Sequence, residues 1–205
     1  MQPNSRSGNQ ESRTFIETAR RAQIVGAAIT VLAELGYTKT SFAKIAKRAG
    51  ISAGLISYHF RNKEELMAQV VTEVNAEMAR AIEDRADGGA DAVAVLRALI
   101  EGFVHYCAAH PERLVAVAQI EAAEGWGTEE RESSIADFEK VLRDGQATGE
   151  LRDFPTRLMA VTLLAALEAV PTELHTRPAT DPEALADHLA TTFTLAVRQL
   201  EGEAR

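Results

Sequence analysis

Between Phe42 and Phe60 the chain reads FAKIAKRAGISAGLISYHF, and no other stretch restricts the fold as tightly. Phe42, Ile45, Ala49, Ile51 and Ile56 recur at spacings that give two short helices a shared apolar core. Gly50 stands where the first helix must stop, because glycine takes a left-handed C′ conformation without a Cβ penalty. Ser52 follows as an N-cap, its hydroxyl able to accept from the free N–H groups of the next turn. Ala46 is small enough for two crossing helices to approach closely. The sum is a helix-turn-helix whose second helix, 53–60, carries a polar and thinly packed outer face.

The rest of the chain has the same period. Ile24, Ala28, Val31, Leu32 and Leu35 define one face of a helix over 18–35, which Gly36 ends. Thr40 is expected to cap a helix over 41–49. Asn62 with Glu65 resembles a capping box opening a helix over 63–85, which stops at Asp87-Gly88-Gly89. Val93, Leu96, Leu99, Ile100, Phe103 and Cys107 form the next stripe. Pro111 starts another helix, and Gly125-Trp126-Gly127 interrupts. Thr128 is expected to cap a helix with Ile135, Phe138, Val141 and Leu142 on its apolar side, followed by turn residues over 145–154. Pro155 opens a helix to Val170 that is apolar almost all round. A last helix from Asp181-Pro182 carries Leu185, Leu189, Phe193, Ala196 and Leu200. Period-2 alternation is nowhere sustained, so the expectation is an all-α chain of about nine helices with no sheet.

Charge divides the chain unevenly. Residues 1–64 hold ten Lys/Arg against four Asp/Glu, whereas the chain as a whole has a net charge of −8. A basic segment on an otherwise acidic chain suits displacement of counterions from nucleic-acid phosphates by that segment alone. The N-terminal stretch lacks a secretory h-region, no apolar run is expected to reach the ~20 residues of a membrane span, and Cys107 is the single cysteine. Together these readings point to a cytoplasmic protein.

Residues 36–66 resemble the N-terminal domain of the TetR (tetracycline-repressor) family of bacterial regulators. The likeness rests on Gly36-Tyr37, Thr40, Phe42, Ile45-Ala46, Ala49-Gly50-Ile51-Ser52, Gly54, Tyr58, Phe60 and Lys63-Glu64-Glu65-Leu66. It implies a three-helix DNA-binding domain over 15–62 and a larger helical domain over 63–205 for effector binding and dimerisation, while residues 1–14 read as a disordered terminal arm. The implied function is a homodimeric transcriptional repressor on a palindromic double-stranded DNA operator, released by a small-molecule effector. Alternatives are a ligand-free or activating DNA-binding regulator and a metal sensor.

The resemblance places Ser52, Ala53, Gly54, Leu55 and Ser57 at base edges, and Thr40, Tyr58, His59 and Lys63 on phosphates. Lys39 and Lys44 join them, while Lys47, Arg48 and Arg61 read equally well as solvated charges. The outer face of the second helix offers no Arg, Asn or Gln for a bidentate base contact, which leaves thymine methyls, serine hydroxyls and DNA shape. Arg6 and Arg13 are candidates to track the duplex backbone or minor groove.

An effector pocket of apolar and aromatic character draws its candidates from Phe103, His105, Tyr106, Cys107, Gln119, Trp126, Phe138, Met159, Leu163 and His175. Glu121 and Glu124 are alternatives for a cationic ligand. The helices from Pro155 and Pro182 are expected to form a four-helix dimer interface with their copies. Cys107 and His110 share a helical face, but His105 does not join them easily and no fourth ligand is evident, so no metal site is assigned. The chain has no phosphate-binding glycine loop, serine elbow or paired carboxylates. It is read as a non-enzyme without a cofactor.

Overall fold

The computed structural model describes residues 5–86 and 91–199, with side chains over 15–85 and 91–199. Among the described residues it has nine helices: α1 (Ser5–Leu35), α2 (Phe42–Ala49), α3 (Ala53–His59), α4 (Lys63–Ala86), α5 (Ala92–Ala109), α6 (Pro111–Glu124), α7 (Thr128–Ala147), α8 (Thr156–Thr176) and α9 (Pro182–Val197). The all-α expectation holds. The one departure from helix and loop among these residues is an isolated antiparallel bridge between Leu151 and Arg198. Two compact units are formed, Met1–Val74 with Val115–Glu124, and Asn75–Leu114 with Gly125–Arg205.

The first unit is built on Ile24, Ala28 and Leu32 of α1, Ile45 of α2, Ile56 of α3, Phe60, Leu66 and Val70 of α4, and Ile120 of α6. Helix α1 starts at Ser5, well before the expected residue 18, so the backbone over 5–14 is helical rather than a disordered arm. No proline follows Pro3 in that stretch, and its Ser, Gln, Glu and Arg residues tolerate a helix. The side chains of Arg6 and Arg13 lie outside the described residues, as do Asp87, Gly88, Gly89 and Leu200.

The turn between α2 and α3 is as the sequence requires. Gly50 adopts φ 67°, and the Ser52 hydroxyl accepts from the Leu55 N–H at 3.2 Å. Thr40 does not cap α2. Ser41 occupies that position without a side-chain bond, and the Thr40 hydroxyl donates to the Gly36 carbonyl at 2.8 Å. Asn62 accepts from the Glu65 N–H at 2.9 Å, while the Glu65 carboxylate accepts from the Arg61 N–H, one residue beyond the cap N–H of a reciprocal box.

In the second unit Leu96 and Ile100 of α5, Ile135 and Leu142 of α7, Leu163 and Leu167 of α8, and Phe193 and Val197 of α9 share one core. Val104, Cys107, Val170 and Ala186 form another. Helix α7 continues through the expected turn to Ala147. Its Gly145 serves close packing, since a Cβ there would sit 2.7 Å from the Ala92 and Leu151 side chains. Thr128 is the first residue of α7, and Gly127, at φ 104°, holds the capping position. Helix α8 passes Val170 and runs through Pro171 to Thr176. Both α5 and α8 are long and apolar enough to cross a membrane, which corrects the expectation about run length. Their buried residues go into the helix packing of this unit instead.

Candidate nucleic-acid interface

Helix α3 has only seven residues, so its own hydrogen bonds hold it weakly and its surroundings must fix it. Ile56 pins the inner face and is fully buried. Ser52, Ala53, Gly54 and Ser57 face outward, with Leu55 half-buried. This exposed face offers two hydroxyls, a methyl and open backbone, a shallow surface able to approach base edges closely. Tyr58 is 77% exposed, its ring set edge-on to His59 at 5.1 Å. The Nδ1 of His59 is buried and finds no protein partner among the described residues.

The flanking cations are partly committed. Lys39 is exposed, and the Lys44 ammonium donates to its carbonyl at 2.6 Å. Arg48 pairs with Glu34 beside an open groove of about 570 Å³, lined also by Val31, Leu35, Lys44 and Lys47. Thr40, expected on a phosphate, is 4% exposed with its hydroxyl turned inward. Lys63 is held by Tyr37: its ammonium donates to the Tyr37 carbonyl at 2.7 Å and sits 3.6 Å from the ring centroid. Burial pushes the Lys63 pKa down, while Glu124 and Glu64 oppose that shift.

Tyr37 anchors this loop to α6. Its hydroxyl donates to the Glu124 carboxylate, and its N–H donates to Gln119 Oε1 at 2.8 Å. Burial, then the hydrogen bond to Glu124, pushes the phenol up to about 12. Gln119, an expected effector-pocket candidate, makes this anchor in the first unit, and Glu124 with it. Helical spacing says which face a residue shares, not which neighbour that face meets.

Residues 24–70 match the bacterial regulatory proteins of the tetR family. The HTH-type transcriptional regulator BetI of Stenotrophomonas maltophilia (strain R551-3) is 33% identical over 88 residues, covering 42% of this chain and 45% of that protein. BetI of Escherichia coli (strain K12 / DH10B) is 31% identical over 70 residues, 34% of this chain and 36% of its own. The chain thus aligns with less than half the length of these curated relatives. In fold it is similar to the fatty acid degradation regulator FadR from Bacillus halodurans, with TM-score 0.73 and 23% identity over 85% of this chain and 94% of that one. A TetR-like transcriptional regulator from Rhodococcus sp. RHA1 gives TM-score 0.68 and 22% identity over 86% and 93%. Residues 24–70 thus carry the DNA-binding domain of tetR-family regulators.

The second unit gathers most of the residues expected at an effector site. Phe103, Phe138, Met159 and Leu163 meet in the larger core, and Phe103 also packs against the smaller core with Cys107. Burial pushes the Cys107 thiol up to about 12, so it is a buried apolar group rather than a nucleophile. Tyr106 is buried, its ring 4.8 Å from that of His110, and burial raises its phenol. Trp126 stands apart from both cores at 37% exposure, between Gly125 and Gly127. His175 is exposed near the end of α8.

His105, Cys107 and His110 have separate engagements. The two ring nitrogens of His105 lie 2.5 Å from the Glu101 carbonyl and 2.7 Å from the Glu183 carboxylate. Among the described residues no group of three or more His, Cys, Asp or Glu side chains is placed to hold a metal. Sequence reasoning missed the polar ties that fix the first unit: Arg21, Gln23 and the Tyr37 anchor. Each is a contact between residues distant in sequence, for which a periodic pattern carries no signal.

Proposed function

We propose that this TetR-family chain is a homodimeric transcriptional repressor that binds a palindromic DNA operator through α3 and lets go when a small molecule occupies the second unit. The observation that carries the reading is the capped α3 turn, held by Ile56 from below and bare from Ser52 to Gly54 above, inside the basic part of an acidic chain. Ala53 and Gly54 suit thymine methyls, and Ser52 and Ser57 supply short hydroxyl donors and acceptors. Tyr58 and His59 lie beside them as phosphate contacts. Lys63 acts first as a staple for the Tyr37 loop and adds positive field near the duplex.

Dimerisation is supported by what the second unit leaves uncovered. Leu158 of α8 is 64% exposed and Leu195 of α9 is 61% exposed, with Ala165 and Ala169 also bare along α8. Two such helices per chain make a four-helix interface with a second copy. An apolar or aromatic effector suits the Phe103, Phe138 and Met159 surroundings. Its binding would change the spacing of the two α3 helices through α4, and both half-sites would no longer be engaged at once.

The experiment is titration of the chain against duplexes from its own promoter region at two salt concentrations. Sequence-preferring binding that weakens with salt is expected. Binding with no sequence preference at either concentration rejects the reading.

A further inference from the structure

Helix α3 is capped at its start by Ser52, and at its end the Phe60 N–H donates to the Ile56 carbonyl. The last carbonyl of α3, that of His59, accepts from Arg21 Nη1 at 2.6 Å. The same guanidinium donates through Nη2 to Gln69 of α4 at 3.2 Å, and its carbon lies 4.2 Å from the Phe60 ring centroid. Gln69 in turn donates to Glu73 at 3.0 Å, one turn further along α4. Arg21 thus touches the carbonyl that closes α3, the ring that follows it and the helix beyond. It reaches them from α1, one turn before fully buried Ile24. A neighbouring side chain of α1 does the same for α2, since Gln23 donates to the Ala49 carbonyl at 2.8 Å.

From this geometry we propose that Arg21 is the positioning residue of the recognition helix: it sets the direction of α3 within the first unit, without itself touching DNA. The inference rests on the DNA-binding reading above for its consequence, but not for its geometry. The physical requirements match the residue. Orphan carbonyls at a helix C-terminus need donors, and a cation is favoured there by the helix dipole. A planar guanidinium can satisfy a carbonyl, an amide and an aromatic face at fixed angles at the same time. An ammonium offers a point charge that fixes no plane. A seven-residue helix that lost this tie would fray from its C-terminal end, and its outward turn would no longer hold one approach to the groove.

Two variants test this. Arg21→Met keeps a stem against Phe60 and removes every donor. Arg21→Lys keeps the charge and loses the plane. Operator affinity should fall about tenfold or more in Arg21→Met, the scale of a lost charge-assisted hydrogen bond. Affinity for unrelated duplex and the salt slope should stay at wild-type values, and Arg21→Lys should recover only part of the loss. Hydrogen exchange at the Phe60 amide, bonded to the Ile56 carbonyl, should quicken in both variants, while amides of α1 near Ala28 stay protected.

Operator affinity and Phe60 exchange both at wild-type levels in Arg21→Met would overturn the proposal. So would an equal loss on operator and unrelated duplex with a salt slope flatter by about one, because that marks a direct phosphate contact. If wild type showed no sequence preference, the DNA-binding reading would fall, and the exchange data alone would still decide whether Arg21 holds α3. If Arg21→Met failed to fold, Arg21→Lys would carry the same two readouts.

Discussion

The two units are stabilised in different ways. The first is small, and polar ties from distant parts of the chain orient its short helices: Arg21 on His59, Gln23 on Ala49, Lys63 and Gln119 on Tyr37. The second packs longer helices through two apolar cores and leaves leucines bare on α8 and α9. A surface that reads another molecule must be held at one angle, and directional hydrogen bonds do that better than apolar contact, which tolerates sliding. A surface that associates with a copy of itself needs area more than angle. The contrast teaches where to look for function: orientation in the first unit, coverage in the second.

The contrast can be broken most forcefully in the second unit's core. Leu167 is almost fully buried within the chain, so Leu167→Glu leaves a charge without solvent and should cost at least ~4 kcal/mol. Denaturant titration should show loss of the second unit's transition. Phe60→Ala should cost about 3–5 kcal/mol in the first unit, as expected for an emptied aromatic site. Domain-resolved unfolding should assign that loss to residues of the first unit and leave the second nearly unchanged.

A smaller effect on stability, with a larger one on assembly, is expected for Leu158→Glu combined with Leu195→Glu. Both residues are exposed, so the chain should fold. Under the proposed dimer, sedimentation at micromolar concentration should show dimer for wild type and monomer for this variant. A variant that stays dimeric would place the self-association surface elsewhere.

The smallest effect separates the Tyr37 anchor from generic packing. The Tyr37 phenol titrates near 12 in the folded chain against 10.0 for the free group, so folding favours its protonated form. Between those values the folded state holds the proton more firmly than the unfolded one, and stability must fall as pH rises. Below pH 10 this contribution is fully present. Tyr37→Phe should therefore flatten the decline in stability between pH 10 and 12, measured by urea unfolding, and an unchanged slope would remove the Glu124 bond from the account.

What could be read from sequence follows the same division. The turn from Gly50 to Ser52 and the apolar stripes were legible because a φ requirement, a cap and a helical period are local. The contacts of Gln119 and Arg21 were not, because a long polar side chain carries no mark of the distant carbonyl or amide it will meet. Thr40 misled for a related reason: a hydroxyl before a helix can cap it or bond backward, and here it chose Gly36. Gly145 read as a turn because a glycine chosen for close packing looks the same as one chosen for φ. Among the candidate site residues, those of α3 were legible as a motif. The aromatic and sulfur residues of the second unit were legible as apolar stripes, which mark a core and a pocket wall alike.

The central claim is that DNA is read by the outward turn of α3 and by nothing in the second unit. Hydrogen exchange of the chain with and without its promoter duplex tests it most directly. The account predicts slowed exchange over 52–60, with α7 and the cores of α8 and α9 unchanged. Protection confined to the second unit, with residues 52–60 exchanging as in the free chain, would contradict it.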